Sequence, residues 1–267
     1  MKKQTLENLS IVGNPNRKRK SNIDFGLADE LNKYYSNPEN FKKKEGQEKN
    51  KVVSPIENPI INPNQNLDGY IHVPSLNLYF TKERILQGEN WFDTHKSLQL
   101  NNQRMPTIPE FIEFLKYSKL NFPDVYKDIT EVRDPWRGEW IDADFKLKGE
   151  DLYINYNHIL DSKGNLIPKN SEIIDKNTLM KDKIPGISLE DYINNNYTKQ
   201  GLPNNKVKSG DFYYWFPKSD NNSVARFSAG SDGAVLYCGR SPSDANASLG
   251  VFGIAQVFDP KLAGGLK

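Results

Sequence analysis

The residues able to do chemistry are few and far apart. Three histidines (His72, His95, His158), one cysteine (Cys238) and the pair Asp142 and Asp144 exhaust the obvious candidates. A single thiol excludes an internal disulfide framework and any zinc site built from several thiolates. Asp-x-Asp at strand spacing could share a cation or work as paired carboxylates. Set in Asp144-Phe145-Lys146-Leu147-Lys148, it reads instead as the solvated face of a strand. His95 falls with Trp91, Phe92 and Leu98 on the apolar face of a helix, which makes it a core histidine with its polar atoms satisfied. Cys238 alternates with Ala234 and Leu236, where a thiol acts as a small hydrophobe rather than a nucleophile. No catalytic set, metal or cofactor is expected.

The elements that must position these residues are read from pattern. Tyr70–Val73 and Leu76–Phe80 are β-rich runs broken by Pro74. Helical spacing runs from Asn90 to Leu100, and Thr107-Ile108-Pro109-Glu110 forms a capping box with an early proline ahead of Phe111, Phe114 and Leu115. Alternation on both sides of Lys148-Gly149-Glu150 predicts a hairpin, followed by a Gly/Pro-rich connection through Ser162–Asn165. A short helix at Ser188–Ile193 and an aromatic strand, Asp211–Phe216, follow. The sum is a mixed α+β domain.

Residues 1–66 carry 12 basic and 8 acidic side chains, whereas the whole chain of 267 carries 36 and 34. High charge, low hydrophobicity and prolines at 55, 59 and 63 predict a flexible N-terminal segment, with Leu27–Tyr35 as a short helical stretch inside it. Its Arg17–Lys20 run reads as a solvated tail and not as a nucleic-acid site. No apolar run approaches the ~20 residues that span a bilayer, and the first residues lack the apolar stretch of a signal peptide. The expectation is synthesis in the cytoplasm without membrane insertion, with any display on a virion or cell surface by association.

The most informative stretch has a filtered composition. Between Lys218 and Gln256 there are 37 residues without Lys, Glu, Gln, Met or Trp, types that make up 58 of the 267. At those frequencies such a gap arises about once in ten thousand placements. Alternation sets Val235, Tyr237 and Gly239 on one face of a strand and Ala234, Leu236 and Cys238 on the other. Pattern alone makes this a glycine-rich edge hairpin, half-buried on its Ala/Leu/Cys side.

The stretch Val224-Ala225-Arg226-Phe227, Leu236-x-Cys238 and Leu249-Gly250-Val251 resembles the variable region of proteins diversified by diversity-generating retroelements. The segments Trp91–Lys96, Arg104–Phe111 and Trp136–Asp142 are similar to those of the archaeal and archaeal-virus members. The resemblance covers residues 67–258, with a variable region over about 224–253 and a short tail at 259–267. It implies a C-type-lectin-like fold, two helices packed on short, mostly antiparallel strands. It also explains the gap: in such families template adenines are mutagenised, chiefly in asparagine codons, and changing the first two bases of such a codon never yields the five missing types.

The resemblance implies a variable ligand-binding surface at Ser228, Gly230, Asp232, Gly233, Val235, Tyr237, Gly239, Arg240, Ser241, Asp244, Ala245, Asn246, Ala247 and Phe252. Ala229, Ser231, Ala234, Leu236, Cys238, Leu249, Gly250 and Val251 would be scaffold. Tyr237 and Arg240 are the expected anchors, since both types are enriched at binding hot spots. The implied partner is an unknown macromolecule, a cell-surface protein or glycan. Glu-Pro-Asn, Gln-Pro-Asp and Trp-Asn-Asp, which hold calcium in sugar-binding lectins, are absent. Two alternatives stand beside this reading. One is an enzyme like the formylglycine-generating oxidases, which share the broad fold but need a cysteine pair; the other is a plain structural module without diversification.

Overall fold

The computed structural model describes residues 67–175, 183–218 and 220–255. The tail expected over 1–66, the helical stretch Leu27–Tyr35 and the segment 259–267 lie outside the described residues.

The longest strands grow from the clearest pattern. β4 (Arg137–Lys148) and β5 (Asp151–Leu160) form the expected hairpin, and Gly149 takes φ +60 at the first of its two turn residues, where a side chain would be strained. β6 (Leu166–Ile173) adds to β5 with Ile159 opposite Ile167. The connection expected through Ser162–Asn165 is the turn into this strand, which the sequence reading did not include. The strand tolerates Pro168 because it is the edge of the sheet.

β7 (Lys183–Ile187), β8 (Phe212–Trp215), β9 (Ser223–Gly230) and β10 (Gly233–Arg240) complete a sheet ordered β6-β5-β4-β9-β10-β8-β7. The β9–β10 hairpin is therefore interior, correcting the expected edge position: β9 pairs with β4, and β10 pairs in parallel with β8. A second sheet, β1 (Tyr70–Val73), β2 (Leu78–Thr81), β12 (Ile254–Ala255) and β3 (Gln103–Arg104), joins the first described strands to the last, with Ile254 opposite both Phe80 and Arg104.

Four helices are described, where the pattern gave three and the resemblance implied two. α1 (Trp91–Leu100) is capped by Asn90, whose side chain accepts from the Asp93 N–H. α2 (Ile108–Asn121) begins at the expected capping box, where the Thr107 N–H and hydroxyl both donate to Glu110 Oε2 at 2.9 Å. α3 (Pro123–Thr130) follows at once, with proline in its first turn, and α4 (Leu189–Ile193) is capped by Ser188. The fold is mixed α+β, dominated by strands, and β4 at 12 residues is longer than the short strands expected.

The core is largely aromatic. Tyr192 of α4 stacks on Phe212 of β8 (centroids 5.6 Å), Phe212 on Phe227 of β9 (5.3 Å), and Phe227 meets Phe111 of α2 (5.5 Å). Phe114 continues the column to Phe252 (5.3 Å) and Phe80 (4.4 Å), so one contiguous cluster ties α2 and α4 to both sheets.

β4 changes partners along one edge. β11 (Leu249–Gly250) pairs with Gly138 and Glu139, and β5 takes over from Asp144 onward. Between them the β4 backbone is satisfied from elsewhere: the Trp91 indole donates to Ile141 O at 3.0 Å, and Asp142 N–H donates to Pro106 O at 2.8 Å. The interruption brings α1 against the strand.

Candidate functional site

β9 and β10 sort their residues by side. Ala229, Ala234, Leu236 and Cys238 are buried, while Gly230, Gly233, Val235, Tyr237 and Arg240 are half-buried and Asp232 is exposed at the hairpin tip. β8 extends the outward face because its parallel register sets Tyr213 beside Val235 and Trp215 beside Tyr237. Its alternate residues, Phe212 and Tyr214, point into the core.

The face holds a cleft of about 490 Å³ walled by Trp136, Tyr213 and Trp215, with Arg226, Ser228, Gly230, Asp232, Gly233 and Val235 along it. Arg226 lies over the rings of Trp136 (4.6 Å) and Tyr237 (5.4 Å), and Tyr237 meets Trp215 edge-on at 5.9 Å. Burial, with Arg240 nearby, lowers the Arg226 pKa to about 10. Its Nε and Nη1 have no hydrogen-bond partner among the described residues. The guanidinium carbon is thus within cation–π range of two rings while these two nitrogens are buried.

Beyond β10 the chain runs through Ser241–Ser248. Ser241, Ala245, Asn246 and Ala247 are exposed and Asp244 half-buried, ion-paired with Arg240. Main-chain bonds hold this loop: Trp91 N–H to Pro242 O at 3.0 Å, Gly138 N–H to Ser248 O at 2.9 Å, and Asp244 N–H to Ser241 O at 3.2 Å. The Arg84 guanidinium also donates to Ser248 O at 2.9 Å. Of the loop's own side chains, Asn246 Oδ1 accepts the Ser248 N–H at 2.8 Å and Ser241 Oγ the Ser243 N–H at 3.4 Å.

Four expected positions need correction. Phe252 is 1% exposed in the aromatic column, so it belongs to the core. Ser228 is 3% exposed and forms cleft floor between β10 and β4, opposite Val235 and Gly138. Gly239 is buried because the Lys218 methylene stem covers it; an added Cβ would meet those carbons at 3.1 Å. Ser231, expected as scaffold, is exposed at the hairpin tip. Trp136, Tyr213, Trp215 and Arg226 were not anticipated as site residues, although the period of two in Phe212–Trp215 was a usable signal for the two on β8.

The histidines and paired aspartates also differ from expectation. Asp142 and Asp144 are buried, 2% and 4% exposed, because α1 covers the face taken as solvated. Asp142 Oδ2 accepts the His158 N–H at 3.0 Å, and its Oδ1 lies 2.5 Å from His158 Nδ1. His95 Nε2 is 3.6 Å from the same Oδ1, and neither His95 ring nitrogen has a hydrogen-bond partner among the described residues, so the histidine is buried but not satisfied. Burial drives the His95 pKa down to about 3, leaving it neutral. Burial also opposes charge on His158, but Asp142 overrides it and raises that pKa; for Asp142, burial is outweighed by His158 and His95, and its pKa falls. Trp91 stands edge-on to both imidazoles, at 4.3 and 5.0 Å.

No family model, curated protein or solved structure matches the chain at the significance required.

Proposed function

We propose that the outward face of β8–β10 and the Ser241–Ser248 loop form a recognition surface for a macromolecule, a cell-surface protein or glycan. We further propose that this surface is diversified by a retroelement on a C-type-lectin-like scaffold. The observation that carries the reading is a coincidence of composition and geometry. The 37-residue stretch lacking five residue types supplies the floor of the cleft and the exposed loop, while its inward alternates, Ala225, Phe227, Ala229, Ala234, Leu236 and Cys238, are core.

Physical chemistry favours this use. Residues facing outward from a strand paired on both edges can change without altering the ladder, and a loop held by main-chain bonds tolerates exchange of its side chains. Trp136, Tyr213 and Trp215 supply rigid contact area with few rotatable bonds, as the aromatic residues of antibody binding loops do, and Arg226 adds a cation among them. The Gly, Ala and Ser positions let a partner approach the backbone closely. Pairing of β12 with β2 supports the lectin-like reading, since it puts the last described strand in one sheet with the first two. The recognition role is non-catalytic.

The test is to sequence this segment in sister clones together with the neighbouring DNA. Substitutions are expected at Gly230, Asp232, Val235, Tyr237, Arg240, Ser241, Asp244, Ala245, Asn246 and Ala247, but not at Gly233, whose φ of +118 strains any side chain; they are matched by a near-copy of the segment beside a reverse-transcriptase gene. Substitutions spread evenly across the surface, with neither DNA feature nearby, would leave a structural module instead.

A further inference from the structure

We propose that His95, Asp142 and His158 bind a divalent transition-metal ion of the zinc class, which fastens α1 to β4 and β5. The three residues come from three elements, lie 1–3% exposed, and offer ligand atoms all within 4.8 Å of one another. Imidazole and carboxylate suit this class of metal, whereas calcium and magnesium require more oxygen donors.

The distances fit with small movements. Metal–ligand bonds of ~2.0–2.1 Å in a tetrahedron separate the donor atoms by about 3.4 Å. His95 Nε2 and Asp142 Oδ1 are already 3.6 Å apart. His158 Nδ1 and Asp142 Oδ1, at 2.5 Å, share a proton whose place the ion takes as the side chains part slightly. The outer shell is also suited to this. His158 Nε2 lacks a hydrogen-bond partner and faces Asp144 Oδ1, itself unpartnered, at 3.9 Å. A carboxylate aimed at the second nitrogen of a ligating histidine fixes the ring and raises its basicity.

A purely structural cluster leaves more unexplained. Burying a polar atom without a partner is unfavourable, and His95 carries two such nitrogens beside a carboxylate that it does not hydrogen-bond. Coordination gives Nε2 a partner. No further Cys, His, Asp or Glu joins the group among the described residues, so water completes the tetrahedron. Burial beneath Trp91 keeps substrate away and makes the role structural.

The experiment uses the untagged full-length chain, expressed in zinc-supplemented medium, then incubated with ZnCl2, desalted and analysed for metals by mass spectrometry. Wild type should hold about one zinc per chain, and its Tm should fall by several degrees in a strong chelator. His72→Ala removes the histidine outside the cluster and should keep the full content. His95→Phe preserves bulk and Asp142→Asn preserves shape, and whichever folds should retain less than about a tenth of a zinc. In wild type, cobalt substitution should give the absorption bands of a tetrahedral nitrogen–oxygen site. Wild type holding less than about a tenth of an equivalent both as purified and after incubation, or full content in both cluster variants, overturns the proposal.

Discussion

Glu139 shows what running β4 through the middle of the domain costs a single side chain. It is 1% exposed, its nearest cation is Arg84 Nη1 at 3.9 Å, and its Oε2 has no hydrogen-bond partner among the described residues. Burial pushes its pKa up to about 8 against the opposing pull of Arg84, Arg137 and Arg226, with Asp128 adding to the rise. The folded state therefore keeps a proton that the unfolded chain releases near the ordinary value of 4.5, and stability falls as pH rises between those two values. Wild-type Tm should drop by several degrees from pH 5 to pH 8, and Glu139→Gln should flatten that slope. Parallel profiles would mean that Glu139 is ionised in the fold. On β10, Leu236→Ala should cost about 2–5 kcal/mol because Leu236 is core. Tyr237→Ala, which removes contacts to Trp215 and Arg226 at the surface, should cost about 1 kcal/mol or less. Equal losses in urea denaturation would place Tyr237 inside.

At the scale of elements, α2 depends on Glu110. Its carboxylate accepts from the Thr107 N–H and hydroxyl and forms a two-pronged pair with Arg104, at 2.8 and 2.6 Å. Thr107→Ala should lower stability by about 1 kcal/mol. Glu110→Ala should cost about 2 kcal/mol, since it also strips the Arg104 partner. Thermal melts of the two variants give the order, and a larger loss for Thr107→Ala would contradict the shared role of Glu110. This helix start and the β4–β5 turn were legible in the sequence because capping and turn chemistry are local. β6 was not, because Pro168 is compatible with a strand only if that strand is an edge, a fact about neighbours. α3 was missed although Val125, Tyr126 and Ile129 share its inward face, because at eight residues directly after α2 it is too short for that pattern to stand out.

For the whole molecule, legibility stops where distant segments meet. His95, Asp142 and His158 share no spacing motif, and Asp142 and Asp144 look solvated until α1 is laid across them. The inward and outward sides of β9 and β10 were readable from alternation. Yet the burial of Gly239 under Lys218, and of Phe252 under α2, depends on contacts between elements. One prediction belongs to this scale. Replacing Asp232, Val235, Ser241, Ala245 and Ala247 together with other polar or small residues should shift Tm by no more than a few degrees, because none of them lies in the core. Loss of a cooperative melt would show that the face is part of the folding core.

The interior position of β9 and β10 has a consequence for solubility. Under the proposed diversification, a surface exchanged blindly will at times acquire runs of valine, isoleucine or tyrosine, which on a bare edge would recruit strands from neighbouring molecules. Here the main-chain donors and acceptors of both strands are already committed to β4, to each other and to β8, so a sticky variant offers side chains but no template for fibre growth. The sheet ends instead at β6 and β7, outside the stretch of filtered composition, and β6 carries Pro168 and Lys169, residues that discourage strand addition.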